Sequence, residues 1–187
     1  MKRLYIVVAG MPGSGKSIVI EAAKKLSLPV YSMGDVVREE TMRRYGTISP
    51  DLMVETSRKL REEYGEEIIA IRTHKKIHEK DHIVVIDGVR SIREIEFFKR
   101  TGNVVIIAVH ASPNTRFRRL IARKRPGDPI KYEDFIKRDL TELKFGLGNV
   151  IALADYMIIN EGSIDEALNR SISLLRSLVE KHGRDNC

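Results

Sequence analysis

The sequence predicts an α/β protein built on a parallel sheet, and three observations predict it. Short apolar runs alternate with amphipathic stretches along the chain, the pattern of strands joined by helical crossovers. The runs are nearly continuous in apolar residues, as strands covered on both faces are. A glycine-rich segment, Gly10 to Ser17, stands between the first run and the first helical stretch.

The elements follow in order. Leu4 to Ala9 is the first strand and Lys16 to Leu26 the first helix. Pro29 to Ser32 is a short second strand, with Gly34-Asp35 at its end. Helical patterns then succeed one another between Asp35 and Lys80: Val36 to Arg44, Leu52 to Glu63 and Glu66 to His78. They read as a helical insert. Ile83 to Ile86 is the third strand, Ile92 to Arg100 a helix, and Val104 to Val109 the fourth strand. Helices at Asn114 to Arg123 and Tyr132 to Lys144 flank a connector, Lys124 to Lys131. That connector holds Arg125-Pro126-Gly127-Asp128-Pro129 and is expected to be a mobile loop. Tyr156 to Ile159 is the fifth strand. Asp165 to Lys181 is the last helix, and Ser163 and Glu166 before it have capping-box spacing. Parallel strands require right-handed crossovers. The polar end, Lys181 to Cys187, is expected to fray.

A chain of 187 residues fits one domain, here 1–187, and can bury a core without staples. Cys187 is the single cysteine, so no internal disulfide forms, which points to a reducing, cytoplasmic setting. No apolar run reaches the length of a membrane span. The run behind Met1-Lys2-Arg3 holds Gly10, Gly13 and Lys16 and reads as a buried strand rather than a signal peptide. Charged residues make up 32% of the chain, and glutamine and tryptophan are absent, which points to a thermophilic source. The net charge of +7 suits either nucleic acid or a phosphorylated small molecule. The oligomeric state is not legible.

Gly10-Met11-Pro12-Gly13-Ser14-Gly15-Lys16-Ser17 fits G-x-x-x-x-G-K-[ST] between a strand and a helix. Its glycines let successive backbone N–H groups turn inward on phosphates, and the helix N-terminus adds its positive end. Lys16 is placed to reach the β- and γ-phosphates and Ser17 to ligate Mg²⁺. The alternative is a chance glycine-rich turn. Asp87 ends the third strand at the sheet edge where ligands bind, placed to hold Mg²⁺ through water or to orient a nucleophile. The alternative is a turn-capping aspartate.

Arg116, Arg119 and Arg123 share one helix face, with Arg125 and Arg138 nearby. They suit a lid that closes over phosphates, or else a solvated basic face. Asp35, Arg38 and Arg90 fall at the same sheet edge. The arginines would hold an anionic acceptor and Asp35 would act as base or positioning group, unless Arg38 only pairs with a surface acid. His74, His78 and His82 recur every four residues; a solvated helix face is preferred over a metal pair. His110 reads as a strand-end packing residue and the methionines as core.

Several of these segments together resemble the P-loop nucleoside monophosphate kinases, and more closely the small archaeal adenylate-kinase-related proteins. The segments are Gly10 to Lys16, Ser32-Met33-Gly34-Asp35-Val36-Val37-Arg38, Asp87-Gly88-Val89-Arg90 and Arg119-Leu120-Ile121-Ala122-Arg123. Leu60-Arg61-Glu62-Glu63-Tyr64-Gly65 is similar to a segment of the archaeal group, and Ala154 to Asn160 to the last-strand segment of dephospho-CoA kinases. The resemblance spans the chain in order. It implies a three-layer P-loop NTPase fold with strand order 2-3-1-4-5, an acceptor-binding subdomain at 36–80 and a lid at 119–138.

It also implies ATP and Mg²⁺ as cofactors. Catalytic roles would fall to Lys16, Asp35, Asp87, Arg119 and Arg123, with Mg²⁺ on Ser17 and Asp87. The nucleotide would lie on Gly10, Met11, Pro12, Gly13, Ser14, Gly15, Lys16, Ser17 and Asn160, and the acceptor on Asp35, Arg38, Arg61, Arg90 and Arg138. No N-K-x-D guanine-reading motif is present, which points to ATP over GTP. The chain departs from adenylate kinases in having no glutamine and in placing Met33 where they have threonine. Its Met33-Gly34-Asp35 also departs from the D-A-D of dephospho-CoA kinases. The expected activity is phosphoryl transfer to a small phosphorylated acceptor such as a nucleotide. The rivals are an ATP-driven switch acting on RNA or protein and a kinase for a cofactor precursor.

Overall fold

The structure, a computed structural model, describes residues 2–125 and 127–184; Pro126 and residues 185–187, Cys187 included, lie outside the described residues. The elements run β1 (Leu4–Ala9), α1 (Lys16–Lys25), β2 (Val30–Ser32), α2 (Met33–Tyr45), α3 (Pro50–Tyr64), α4 (Ile68–His74), β3 (Ile83–Asp87), α5 (Ile92–Thr101), β4 (Asn103–His110), α6 (Pro113–Arg123), α7 (Tyr132–Lys144), α8 (Leu147–Ala152), β5 (Tyr156–Ile159) and α9 (Ile164–Arg184). The five strands form one sheet in the order β2-β3-β1-β4-β5, and every pair is parallel. The class is as the pattern of apolar runs predicts, and the strand order is as the family resemblance implies. Of the end expected to fray, Lys181 to Arg184 instead continue α9, where His182 is buried.

All six residues of β1 are buried, so the strand feeds two cores at once. Tyr5, Val7 and Ala9 face one side, packed with residues of α2, α4, α5 and α8. Leu4, Ile6 and Val8 face the other, packed with α1 and α9. Each fully buried aliphatic side chain contributes about 1.5–3 kcal/mol, so this two-sided strand anchors both cores. The register sets Val8 beside Asp87 and Ala9 beside Ala108, which brings the C-terminal ends of β1, β3 and β4 to one edge.

Local chemistry fixes the helix starts. Ser49 caps α3 by accepting from the Leu52 N–H at 3.3 Å, with Pro50 as the first helical residue. Ser163 and Glu166 form the expected reciprocal box, at 3.2 and 3.4 Å. Two expectations are corrected and one helix is added. The second helix begins at Met33, so Gly34 and Asp35 lie in its first turn rather than ending a strand; Met33 is 1% exposed, and burying it pulls the chain into the helix directly after Ser32. The segment expected to be helical from Glu66 to His78 is helical only from Ile68 to His74. The six-residue α8 is an addition, started by Gly146 in the left-handed region at φ 97°.

The connector between α6 and α7 is tied down on its described residues. The Arg125 N–H donates to Asp128 at 3.1 Å, and the Asp128 N–H donates to the Arg125 carbonyl at 2.9 Å. Two methionines depart from the core assignment, Met42 and Met157 being 48% and 51% exposed. Among the described residues no helix is long and apolar enough to cross a membrane.

Candidate functional site

The loop between β1 and α1 is held from behind by two elements distant in sequence. Asn160, 2% exposed, donates from Nδ2 to the Ser14 carbonyl at 2.8 Å. Gly15, at φ 95°, packs so closely on that amide that a Cβ would collide with Asn160 Nδ2. Arg116, 5% exposed, donates to the Pro12 carbonyl at 3.2 Å and to the Ala111 carbonyl at 3.1 Å. Its guanidinium also grips Asp139 bidentately, at 2.8 and 2.6 Å, over the Phe135 ring. Arg116 therefore braces the loop and does not share the exposed lid face expected for it. A Cβ on Gly13 would lie 2.8 Å from the Arg116 carbonyl, so α6 meets the loop directly.

Lys16 points into the loop mouth, where its ammonium donates to the Gly10 carbonyl at 2.7 Å. Burial pushes its pKa down; the charges of Asp87 and Glu142 oppose that, and Arg90 and Arg138 add to it. Ser17 is exposed in the first turn of α1. Four buried side-chain atoms among the described residues have no hydrogen-bond partner: Ser14 Oγ, Asp87 Oδ1, Arg119 Nη1 and Glu142 Oε2. Two of them line the cavity at this mouth, and two belong to the loop and its brace. Ser14 belongs to the loop, Asp87 and Glu142 line the cavity with Lys16, and Arg119 reaches the Asn160 Oδ1 at 3.5 Å. Unpaired buried polar atoms cost free energy, so those at the cavity mark a place built to be completed by a polar ligand.

The cavity, about 190 Å³, lies between the loop, the first turn of α2, and the Asp87-Gly88-Val89-Arg90 segment. It opens through Gly34, Val37, Arg90 and Glu142 into a wider cleft of about 860 Å³ between α3 and the α6–α7 connector. The structure brings Lys16, Asp87, Arg61 and Arg90 together in the inner cavity and Arg138 into the wider cleft. Asp35 and Arg38 are not brought in. They are exposed, pair with each other across one turn of α2, and line neither space. The suspected pairing of Arg38 with a surface acid is thus realised with Asp35, because residues three apart are neighbours on a helix.

The expected phosphate-gripping arginines already hold carboxylates. Arg61 donates to Glu94 at 2.7 Å, and both side chains are buried. Arg90 Nε lies 2.9 Å from Glu142 Oε2, out of line for a hydrogen bond. The Phe145 ring lies 5.2 Å from the Arg61 guanidinium and 5.9 Å from that of Arg90. Arg123 grips Asp128 at 2.6 and 2.7 Å, and Arg138 reaches the same carboxylate at 3.2 Å. Burial would raise the pKa of Asp128, but hydrogen bonds from Arg123, the Arg125 N–H and Arg138 outweigh it and bring the group to about 2. Arg119 differs from these four in keeping a buried guanidinium nitrogen without a partner.

Glu142 and Glu94 carry no sequence motif that singles them out as ligands. Glu94 did have a signal: Ser91 and Glu94 have capping-box spacing, and both bonds of the box are formed. Glu94 also accepts from the Arg90 N–H at 2.7 Å. The histidines take other places than expected. His74 is half-buried, its Nδ1 3.0 Å from the Tyr5 hydroxyl and its ring edge-on to Phe97, and burial lowers its pKa. His78 lies past the end of α4, so the solvated face does not form. Among the described residues no three His, Cys, Asp or Glu side chains are grouped to hold a metal. His110 is exposed rather than packed.

Residues 9–137 match the family model described as an AAA domain. Over 186 residues the chain is 60% identical to a UPF0200 protein of Staphylothermus marinus, covering 100% of this chain and 98% of that one. A shikimate kinase from Bacteroides thetaiotaomicron superposes with a TM-score of 0.60 at 19% identity, over 92% of this chain and 98% of the other. A gluconokinase from Sinorhizobium meliloti gives 0.57 at 17% identity, over 98% and 97%. At these identities the two structures show a shared P-loop kinase fold.

Proposed function

Because the chain belongs to the UPF0200 proteins and to the AAA-domain family, we propose that it is a phosphotransferase that moves the γ-phosphoryl group of ATP to a small acceptor. The observation that supports this most is that Asp87 and Glu142 line the cavity at the loop mouth beside Lys16 with buried oxygens that have no partner, while Ser14 in the loop and Arg119 beside its brace keep unpartnered buried atoms too. The loop N–H groups and the N-terminus of α1 take the triphosphate. Lys16 and Arg119 neutralise charge that grows on the transferring group, and Asn160 and Arg116 hold the loop in shape.

Mg²⁺ fits the donors present. Ser17 offers a hydroxyl, and Asp87 offers a buried carboxylate oxygen with no partner. Two protein oxygens suit a small cation that keeps waters and takes its remaining ligands from phosphates. The bound ion would supply charge neutralisation at the β- and γ-phosphates. Asp87 would help to hold the ion through water, and it lines the cavity from which a nucleophile would approach. The helical block at 36–80 and the segment at 119–138 serve as acceptor subdomain and lid. The assignments of Asp35 and Arg38 to the acceptor give way to Arg61 and Arg90, which line the cavity.

One alternative, a cofactor-precursor or other metabolite kinase, draws support from the arginines. A phosphorylated acceptor wants free guanidiniums, yet Arg38, Arg61, Arg90, Arg123 and Arg138 all have carboxylate partners. The other, an RNA- or protein-directed switch, draws only on the +7 charge. The wider cleft does not show that charge: Arg58, Arg90, Lys137 and Arg138 face Asp51, Glu55, Asp128, Asp134 and Glu142. The test is ADP release from ATP and Mg²⁺ against nucleosides, nucleoside monophosphates, dephospho-CoA, shikimate, gluconate and RNA. Stimulation by a small acceptor is the expected result; stimulation by RNA alone would sink the reading.

A further inference from the structure

Glu142 stands where the inner cavity meets the wider cleft and lines both. It comes from α7, its side chain is 13% exposed, and its Oε2 has no hydrogen-bond partner although Arg90 lies beside it. A buried carboxylate in that state lacks a donor. The surrounding charges say what kind. Lys16, Arg61 and Arg90 face Asp87 and Glu142, and the charge of Arg61 is already met by Glu94. With Lys16 assigned to the triphosphate, the acceptor end of the cavity has no surplus positive charge. A phosphate dianion entering it would have to displace Glu142 from Arg90. It would then sit against the displaced carboxylate and against Asp87, and like charges at such range are strongly disfavoured.

We propose that Glu142 selects the acceptor, taking a hydrogen bond from a hydroxyl or N–H of an uncharged or zwitterionic hydroxyl-bearing small molecule rather than admitting a phosphate monoester. The proposal rests on the phosphotransferase reading and narrows its substrate class. A second hydroxyl of the same molecule faces Asp87 and reacts. Its oxygen bonds to the γ-phosphorus as the bond to the β,γ-bridging oxygen breaks. ADP leaves with that electron pair, and the hydroxyl proton passes to Asp87.

The experiment compares matched pairs on the full chain with ATP and Mg²⁺: nucleosides against their 5′-monophosphates, and polyols and hydroxyl-bearing amino acids against their phosphate esters. The unphosphorylated member of the best pair is expected to have the higher kcat/KM. With that acceptor, Glu142→Ala should raise KM on the order of 10- to 100-fold, the range for losing a hydrogen bond to a charged group, with Glu142→Gln between it and the parent. A deoxy analogue of that acceptor, lacking the donor, should lose a similar factor on the parent protein and less than about threefold on Glu142→Ala, because the interaction is already gone. Thermal melts of both variants check that they fold. A better phosphorylated substrate, an unchanged KM in Glu142→Ala, or an equal deoxy penalty in parent and variant would each overturn the proposal while leaving phosphoryl transfer intact. Turnover with no small acceptor would overturn the phosphotransferase reading itself.

Discussion

At the scale of single residues, the loop was readable because its shape depends on glycine spacing, and spacing is visible in a sequence. Gly15 must be glycine both for its positive φ and for its closeness to Asn160. What braces the loop was less readable, since Asn160 and Ser14 are 146 positions apart. Asn160→Ala removes a buried bond to the Ser14 carbonyl, and a lost bond of this kind costs about 1–2 kcal/mol. ATP affinity measured by titration calorimetry should therefore fall about tenfold, with a modest drop in Tm. Arg119→Ala removes a guanidinium nitrogen that no protein group occupies. Its kcat should fall on the order of 100-fold with little loss of stability, the pattern for a group that acts on transition-state charge. By contrast, Arg116→Ala should unfold the protein more than it slows it. Removing one partner of a buried pair costs about 3–5 kcal/mol, and a denaturant melt would show it. Spacing put Arg116 and Arg119 on one face but could not separate a brace from a free cation. That difference depends on Asp139, which the fold supplies from another helix.

At the scale of elements, the alternation of apolar runs and helical patterns was enough to place every strand, and the capping signals placed several helix starts. It failed where tertiary burial overrode local signals: α2 starts early to bury Met33, and α8 forms from a short segment without a strong helical period. The joints between helices were also invisible. Glu40 on α2 gathers Arg43 and Arg44 of its own helix and Arg72 of α4, and Arg44 passes on to Glu63 of α3. Hydrogen bonds from Arg43, and then from Arg44, outweigh burial and hold its pKa at about 2. The unfolded carboxyl titrates near 4.5. The pKa is depressed on folding, so the stabilisation is complete above about pH 4.5 and is lost as pH falls toward 2. Glu40→Gln should cost about 2–3 kcal/mol at pH 7 in a denaturant melt, and the gap from the parent should narrow in acid below pH 4. A gap that stays constant down to pH 2 would contradict this role.

At the scale of the whole molecule, the class and the strand order follow from the pattern of elements and the family they resemble. The relation between the helical block and the α6–α7 connector does not, because it depends on contacts such as Gly127 against Pro50 that no local pattern encodes. Charge is the other global property that sequence misplaced. The net +7 is real, but the cleft itself is balanced. The basic composition is therefore a poor guide to what enters the site. The most direct measurement of the central claim is transfer of label from [γ-³²P]ATP to a product separated from ATP and inorganic phosphate, with Lys16→Ala alongside. Label should appear in a small organic acceptor with the parent protein and fall at least about 100-fold with Lys16→Ala. Label found only in inorganic phosphate, whatever small acceptor is supplied, would contradict it.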